Sequence, residues 1–261
     1  MKGGSARWWV LGLATLGFAT AAFVLPWHAA AAVTGLTWPG PNALAGSVGH
    51  ALVADWAAAV AAPGREASSA LTDPTRFWRW FHIVKAVLSL AALITSSLLV
   101  ARAWRARRGA PTRGRRFGWA VLASGGALVA AIAVVLVLAN VQGALAPLSS
   151  LLSFLPLSGR SPHLTDAVTA LNASIGSTQP TPTATAIVRD FAVYHAVVAV
   201  LMAVVTVLVG AWAVRVACAR RWGSAAVLTA TVAIFALLTV ANTGTAFAPA
   251  PALQSFLTGV A

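Results

Sequence analysis

Between residues 102 and 116 the chain reads RAWRARRGAPTRGRR (Arg102–Arg116), and that stretch decides the fold. Seven of its residues are arginine and none is acidic, and an apolar run leaves each end: Ile83–Ala101 before it, Phe117–Ala139 after it. Each run is close to the roughly 20 residues that a helix needs to cross a hydrocarbon core. Two such runs joined by a short basic link with Gly and Pro read as a helical hairpin whose turn stays at a membrane surface.

Three further runs have the same character: Trp8–Leu25, Phe191–Val214 and Ala225–Ala241. Apolar residues make up 59% of the 261, charged residues only 9%, and the mean hydropathy is +0.82. A soluble domain is about a quarter charged, so this chain has too little charged surface to solvate a globule. Intrinsic disorder is excluded by the same hydrophobicity. One cysteine excludes both an intramolecular disulfide framework and a thiolate metal cluster. The expected fold class is an all-α integral membrane protein with five transmembrane helices.

The net charge of +13 resembles a nucleic-acid signal until it is mapped. Lys2 and Arg7 precede the first span, seven arginines fill the second link, and Arg215, Arg220 and Arg221 separate the fourth and fifth spans. These are twelve of the eighteen basic residues, with no acid among them; Asp55, Glu66, Asp73, Asp166 and Asp190 all fall in the other two connections. Short loops rich in Lys and Arg stay cytoplasmic, which predicts a multi-pass plasma-membrane protein with its N-terminus inside and its C-terminus outside. Attraction to anionic lipid headgroups accounts for the arginines, so no nucleic-acid partner is expected.

The first span has a basic leader, Met1–Arg7, and the following Pro26–Ala31 ends in small residues that could suit a signal peptidase. Its apolar stretch of 18 residues exceeds the usual 7–15 of a cleaved signal. Residues 1–31 therefore read as an uncleaved signal-anchor.

An internal repeat organises the remainder. Ala139–Leu155 (ANVQGALAPLSSLLSFL) laid over Ala241–Leu257 (ANTGTAFAPAPALQSFL) gives nine identities in seventeen positions. Upstream, Arg76–His82 (RFWRWFH) matches Arg189–His195 (RDFAVYH), with Arg six residues before His and an aromatic residue just before it. The expected arrangement is two tandem parallel-repeat hairpins, 76–156 and 189–261, related by an axis along the membrane normal. An extracytoplasmic loop at 32–75, with its amphipathic helix, precedes the first hairpin, and an extracytoplasmic linker at 157–188 joins the two. Ser96, Ser97, Gly125, Gly126, Gly210 and Ala213 would let helices approach closely.

Short helices are expected in the large outer loops. Leu44, Val48, Leu52, Val53, Trp56 and Val60 recur at helical spacing within Ala43–Ala62, interrupted by His50 and Asp55, as in an amphipathic helix lying on the bilayer or capping the bundle. Leu145–Leu155 and Leu164–Leu171 are shorter candidates, and Thr178–Thr185 (TQPTPTAT) reads as a flexible linker.

His82 and His195 occupy equivalent places near the outer ends of spans two and four. Two imidazoles at equivalent places in a parallel repeat could hold a haem iron, which makes these the candidate cofactor ligands. Arg76 and Arg189, with Arg79 and Lys85, form the candidate anion or lipid-headgroup set. Lys85 sits about one turn deep, where snorkelling to the interface is the cheaper reading. Asn140 and Asn242 read as chain punctuation before Ala-Pro segments. Trp8, Trp9, Trp78, Trp80, Trp104, Trp119 and Trp222 read as interface anchors. No catalytic residue or metal cluster is expected, because the acids are scattered and no nucleophile, zinc-protease or phosphate-loop pattern occurs.

The leading functional expectation is a non-catalytic accessory or assembly subunit, partnered by the lipid bilayer and by another membrane protein or a second copy of itself. The alternatives are a small transporter or channel, and a haem or metal redox protein using His82 and His195.

Overall fold

The computed structural model describes residues 6–61, 69–155 and 161–259. Lys2 and Glu66, two of the charges counted above, lie outside the described residues. The described residues are mostly helical, with no strand among them. The helices are α1 (Ala6–Thr34), α2 (Pro41–Ala61), α3 (Ser69–Arg108), α4 (Arg113–Leu145), α5 (Pro147–Leu152), α6 (Pro162–Ile175), α7 (Pro182–Cys218), α8 (Trp222–Phe247) and α9 (Pro249–Thr258). Five of them, α1, α3, α4, α7 and α8, are long and apolar enough to cross a membrane. They enclose the five apolar runs and extend beyond them, because a helix does not stop where its side chains become polar.

Within each of these five helices the protein covers only 6–22% of the most apolar window. Phe23, Leu128, Val207, Leu237 and Val240 are each more than 60% exposed. Water does not tolerate an apolar surface that continuous, so the exposed faces fit a hydrocarbon surrounding, as the composition requires.

Contacts cluster into two units, one of residues 1–37 and 77–144, the other of residues 38–76 and 145–261. In the first, α3 and α4 form a hairpin around the Arg-rich turn. The buried residues of α3 from Trp78 onward are Trp78, His82, Ser89, Ala92, Ser96, Leu99 and Ala103, which follow a heptad seam with only the position of half-buried Lys85 interrupting it. The facing seam of α4 is Ala123, Gly126, Ala133, Asn140 and Gly143. Small residues dominate both seams and allow the backbones to come close. A Cβ at Gly126 would lie 2.9 Å from Val100 Cγ2 and 3.7 Å from the Ser96 carbonyl oxygen. Ser96 and Gly126 thus sit at the helix contact, whereas Ser97 is exposed and Gly125 has nothing within 4 Å.

The α1 helix packs on this hairpin through buried Thr15, Ala22, Pro26 and Ala30. Trp8 meets Trp119 edge-on at 5.6 Å, and Trp27 meets Phe77 and Phe81 at 5.0 and 6.0 Å.

The second unit holds the α7–α8 hairpin and a helical cap with its own apolar core. Leu44, Val48 and Leu52 of α2, Leu151 and Leu152 of α5, Leu164, Val168 and Leu171 of α6, and Leu253 and Leu257 of α9 are all buried. The α2 helix packs on α5 and α6, and α9 packs on α6, α7 and α8. Asp55 continues the buried face of α2 and accepts a 3.3 Å hydrogen bond from Thr183 Oγ1, while His50 points outward.

Proline sets several boundaries of the cap. Pro147, Pro162, Pro182 and Pro249 each open a helix at its first turn, where a missing N–H costs nothing. Ser161 and Thr181 cap two of these helices, accepting from the N–H of Leu164 and of Ala184 respectively. The Thr181–Thr185 part of the expected linker is consequently the cap and first turn of α7. Proline at the first helical position favours α7 rather than breaking it.

Candidate functional site

The two histidines singled out in the sequence belong to different units, and each is bound by an asparagine of its own hairpin. His82 of α3 donates from Nδ1 to Asn140 Oδ1 of α4 at 2.8 Å, and His195 of α7 donates from Nδ1 to Asn242 Oδ1 of α8 at 2.8 Å. The asparagine orientation is set locally. Asn140 Nδ2 donates to the Leu136 carbonyl at 2.6 Å and Asn242 Nδ2 to the Leu238 carbonyl at 2.8 Å, which turns Oδ1 toward the ring in both hairpins. An acceptor facing Nδ1 makes Nδ1 the protonated nitrogen and leaves Nε2 as the acceptor of the neutral imidazole.

The asparagines are therefore not the chain punctuation their Ala-Pro neighbours suggested. Both α4 and α8 run on past them and end at Leu145 and Phe247. The break falls at Ala146 (φ −129°, ψ 66°) and Ala248 (φ −127°, ψ 64°), each directly before a proline. A residue before proline is pushed out of the helical region by the ring, so Ala146 and Ala248 are the true punctuation.

The surroundings of the two pairs differ. His82 is buried, with Trp78 edge-on at 4.7 Å, Phe81 at 5.4 Å and the α4 backbone pressed on the ring at Gly143. A Cβ at residue 143 would sit 2.5 Å from His82 Nε2, so only glycine fits. Trp78 also stacks on Phe81 at 4.6 Å, which makes it a wall of this cluster and not an interface anchor.

In the aligned repeat Thr245 stands where Gly143 does, and the His195 ring is half-buried. A cavity of about 340 Å³ opens there between α5, α7, α8 and α9. Ser149, Leu152, Phe191, Tyr194, Thr245 and Phe256 line it with His195. Its position depends on Asp190, whose Oδ2 accepts from the Ser149 backbone N–H at 2.6 Å and from Ser149 Oγ at 2.7 Å. The carboxylate thereby closes the first turn of α5, where negative charge is favoured, and fastens α5 to α7.

The basic residues expected around the histidines take separate roles. Arg76 pairs with Asp73 at 3.3 Å on the surface of α3, and Arg79 and Arg189 are exposed. Lys85 does not simply reach for an interface. Its Nζ lies 5.5 Å from the Phe23 ring of α1 and 5.3 Å from the Phe81 ring, a cation–π arrangement that ties α1 to α3. No group of three His, Cys, Asp or Glu side chains that could hold a metal occurs among the described residues.

A second opening, about 690 Å³, is lined by Trp8, Gly109, Pro111, Arg115, Trp119 and their neighbours at the Arg-rich turn. Arg115 is its one charged wall residue, which suits the headgroup contact expected of that turn.

Sequence reasoning found both histidines and both asparagines but not that they pair. The signal was present, since the repeat alignment carries Asn and His together. Asp190, Tyr194 and Thr245 gave no signal as site residues, because their roles depend on where α5 and α9 fold back. The chain gives no match to known protein families, to curated proteins or to solved structures.

Proposed function

We propose that this protein is a multi-pass plasma-membrane subunit that serves a larger membrane complex as an accessory or assembly component. Its two hairpins are a tandem repeat running in the same direction, with the Arg-rich turns in the cytoplasm and the helical cap outside. The observation that carries this reading is the recurrence of one structural device: in each hairpin a His–Asn hydrogen bond joins the helices at the end opposite the basic turn. These bonds employ the two histidines of the candidate spans in holding helices together. A polar pair that fixes the register of two helices, buried at His82–Asn140 and half-buried at His195–Asn242, is a scaffold's feature.

The cap supports the same role. Its helices share an apolar core and are tied to one another: Asp190 of α7 accepts from the Ser149 N–H of α5, Ser174 Oγ of α6 accepts from the Thr181 N–H at the head of α7, and Gln254 Nε2 of α9 donates to the Asn172 carbonyl of α6. A rigid outer platform on a laterally apolar hairpin suits docking beside another integral protein.

Native purification in mild detergent, followed by mass spectrometry, tests the proposal. Stoichiometric co-purification of an integral membrane partner, lost on removal of the cap residues 41–61, is the expected result. A solitary monomer under those conditions contradicts it.

A further inference from the structure

Beyond a scaffold role, the half-open histidine has a chemistry of its own. With Nδ1 committed to Asn242, His195 Nε2 has no protein partner among the described residues and is not shut off as a buried unpaired atom. The aliphatic hydroxyls of the cavity are already spent as donors. Ser149 Oγ donates to Asp190, Ser153 Oγ to the Ser150 carbonyl at 2.6 Å and Thr245 Oγ1 to the Ala241 carbonyl at 3.2 Å. Each oxygen retains only acceptor capacity. His195 Nε2 and these three oxygens therefore face a ligand as acceptors, and Leu152, Phe191 and Phe256 offer it an apolar wall. At about 340 Å³ the cavity is at the small end of the ligand-site range. No carboxylate among the described residues lines the cavity to pair with a cation, which favours a neutral donor such as a hydroxyl.

We infer that the cavity between α5, α7, α8 and α9 binds hydroxyl-terminated amphiphiles, the hydroxyl donating to His195 Nε2 and the apolar body lying against Leu152, Phe191 and Phe256. The closed counterpart at His82, sealed by Gly143, has no room for such a ligand. This inference stands on the cavity alone and is independent of whether the protein serves a complex.

The test uses the full chain in phosphatidylcholine nanodiscs and a diazirine-bearing octanol as photolabel. Label is expected on the peptides carrying Tyr194 and Phe256. Unlabelled 1-octanol should compete about fivefold better than methyl octyl ether, the effect of one hydrogen bond. Ala252→Leu, which fills the cavity without touching His195 or Asn242, should lower labelling by a similar factor. Equal competition by alcohol and ether overturns the proposal. So does stronger competition by octylammonium, or undiminished labelling in folded Ala252→Leu. The wild-type competition decides the matter even where that variant folds poorly.

Discussion

At the scale of single residues, the contrast between Gly143 and Thr245 separates two otherwise equal His–Asn pairs. Removing the asparagine partner of a buried ring leaves an unsatisfied polar group, which costs about 1–3 kcal/mol. Asn140→Ala should therefore destabilise the protein in bicelle unfolding by about that amount. Asn242→Ala should cost less, because half-buried His195 can find another partner at the cavity. Gly143→Ala should also cost about 1–3 kcal/mol, since a Cβ there collides with the His82 ring and neither backbone nor ring can yield cheaply. Lys85 is testable by a double-mutant cycle with Phe23, using Lys85→Met and Phe23→Leu. A coupling of about 0.5–2 kcal/mol is expected, and an additive cycle would show that the ammonium is simply solvated.

At the scale of elements, most of what forms the helices was legible and most of what joins them was not. Five apolar runs identified five helices because burial in hydrocarbon leaves a strong compositional mark. Leu44, Val48 and Leu52 placed a buried face on α2 because the period of 3.6 survives in the sequence. The Thr/Pro stretch before α7 misled, since Thr181 and Pro182 look like a linker by composition but act as cap and first turn by geometry. Asp190 was no more than a charge in a loop until α5 folded back on α7. Thr181→Ala should lower stability by about 1 kcal/mol through the lost cap, read as earlier hydrogen exchange in the first turn of α7. In the α7–α8 turn Arg220 adopts φ 56°, a left-handed conformation in which a side chain is strained. Arg220→Gly should stabilise that turn by about 1 kcal/mol in the same measurement.

For the whole molecule, the distribution of charge bears on orientation, and the aligned segments bear on why the two hairpins share a device. An Asn-x-x-[Gly/Thr]-Ala-x-Ala-Pro segment follows the apolar span of each hairpin, and a histidine waits on the partner helix. Where the alignment holds, the geometry is alike: the same His–Asn bond, the same pre-proline break. Where it fails, the chemistry differs, sealed at Gly143 and open at Thr245. The sequence could not reveal the cavity because its walls come from α5, α7, α8 and α9, which meet only after the cap has packed.

The shared direction proposed for the hairpins is open to direct measurement through the chain's only cysteine. Cys218 is exposed at the basic turn between α7 and α8. A Gly109→Cys change in a Cys218→Ser background gives an equivalent probe at the turn between α3 and α4. A membrane-impermeant maleimide applied to intact cells should label neither position, and both should react once the membrane is permeabilised. Labelling of either one from outside the cell would contradict the parallel arrangement.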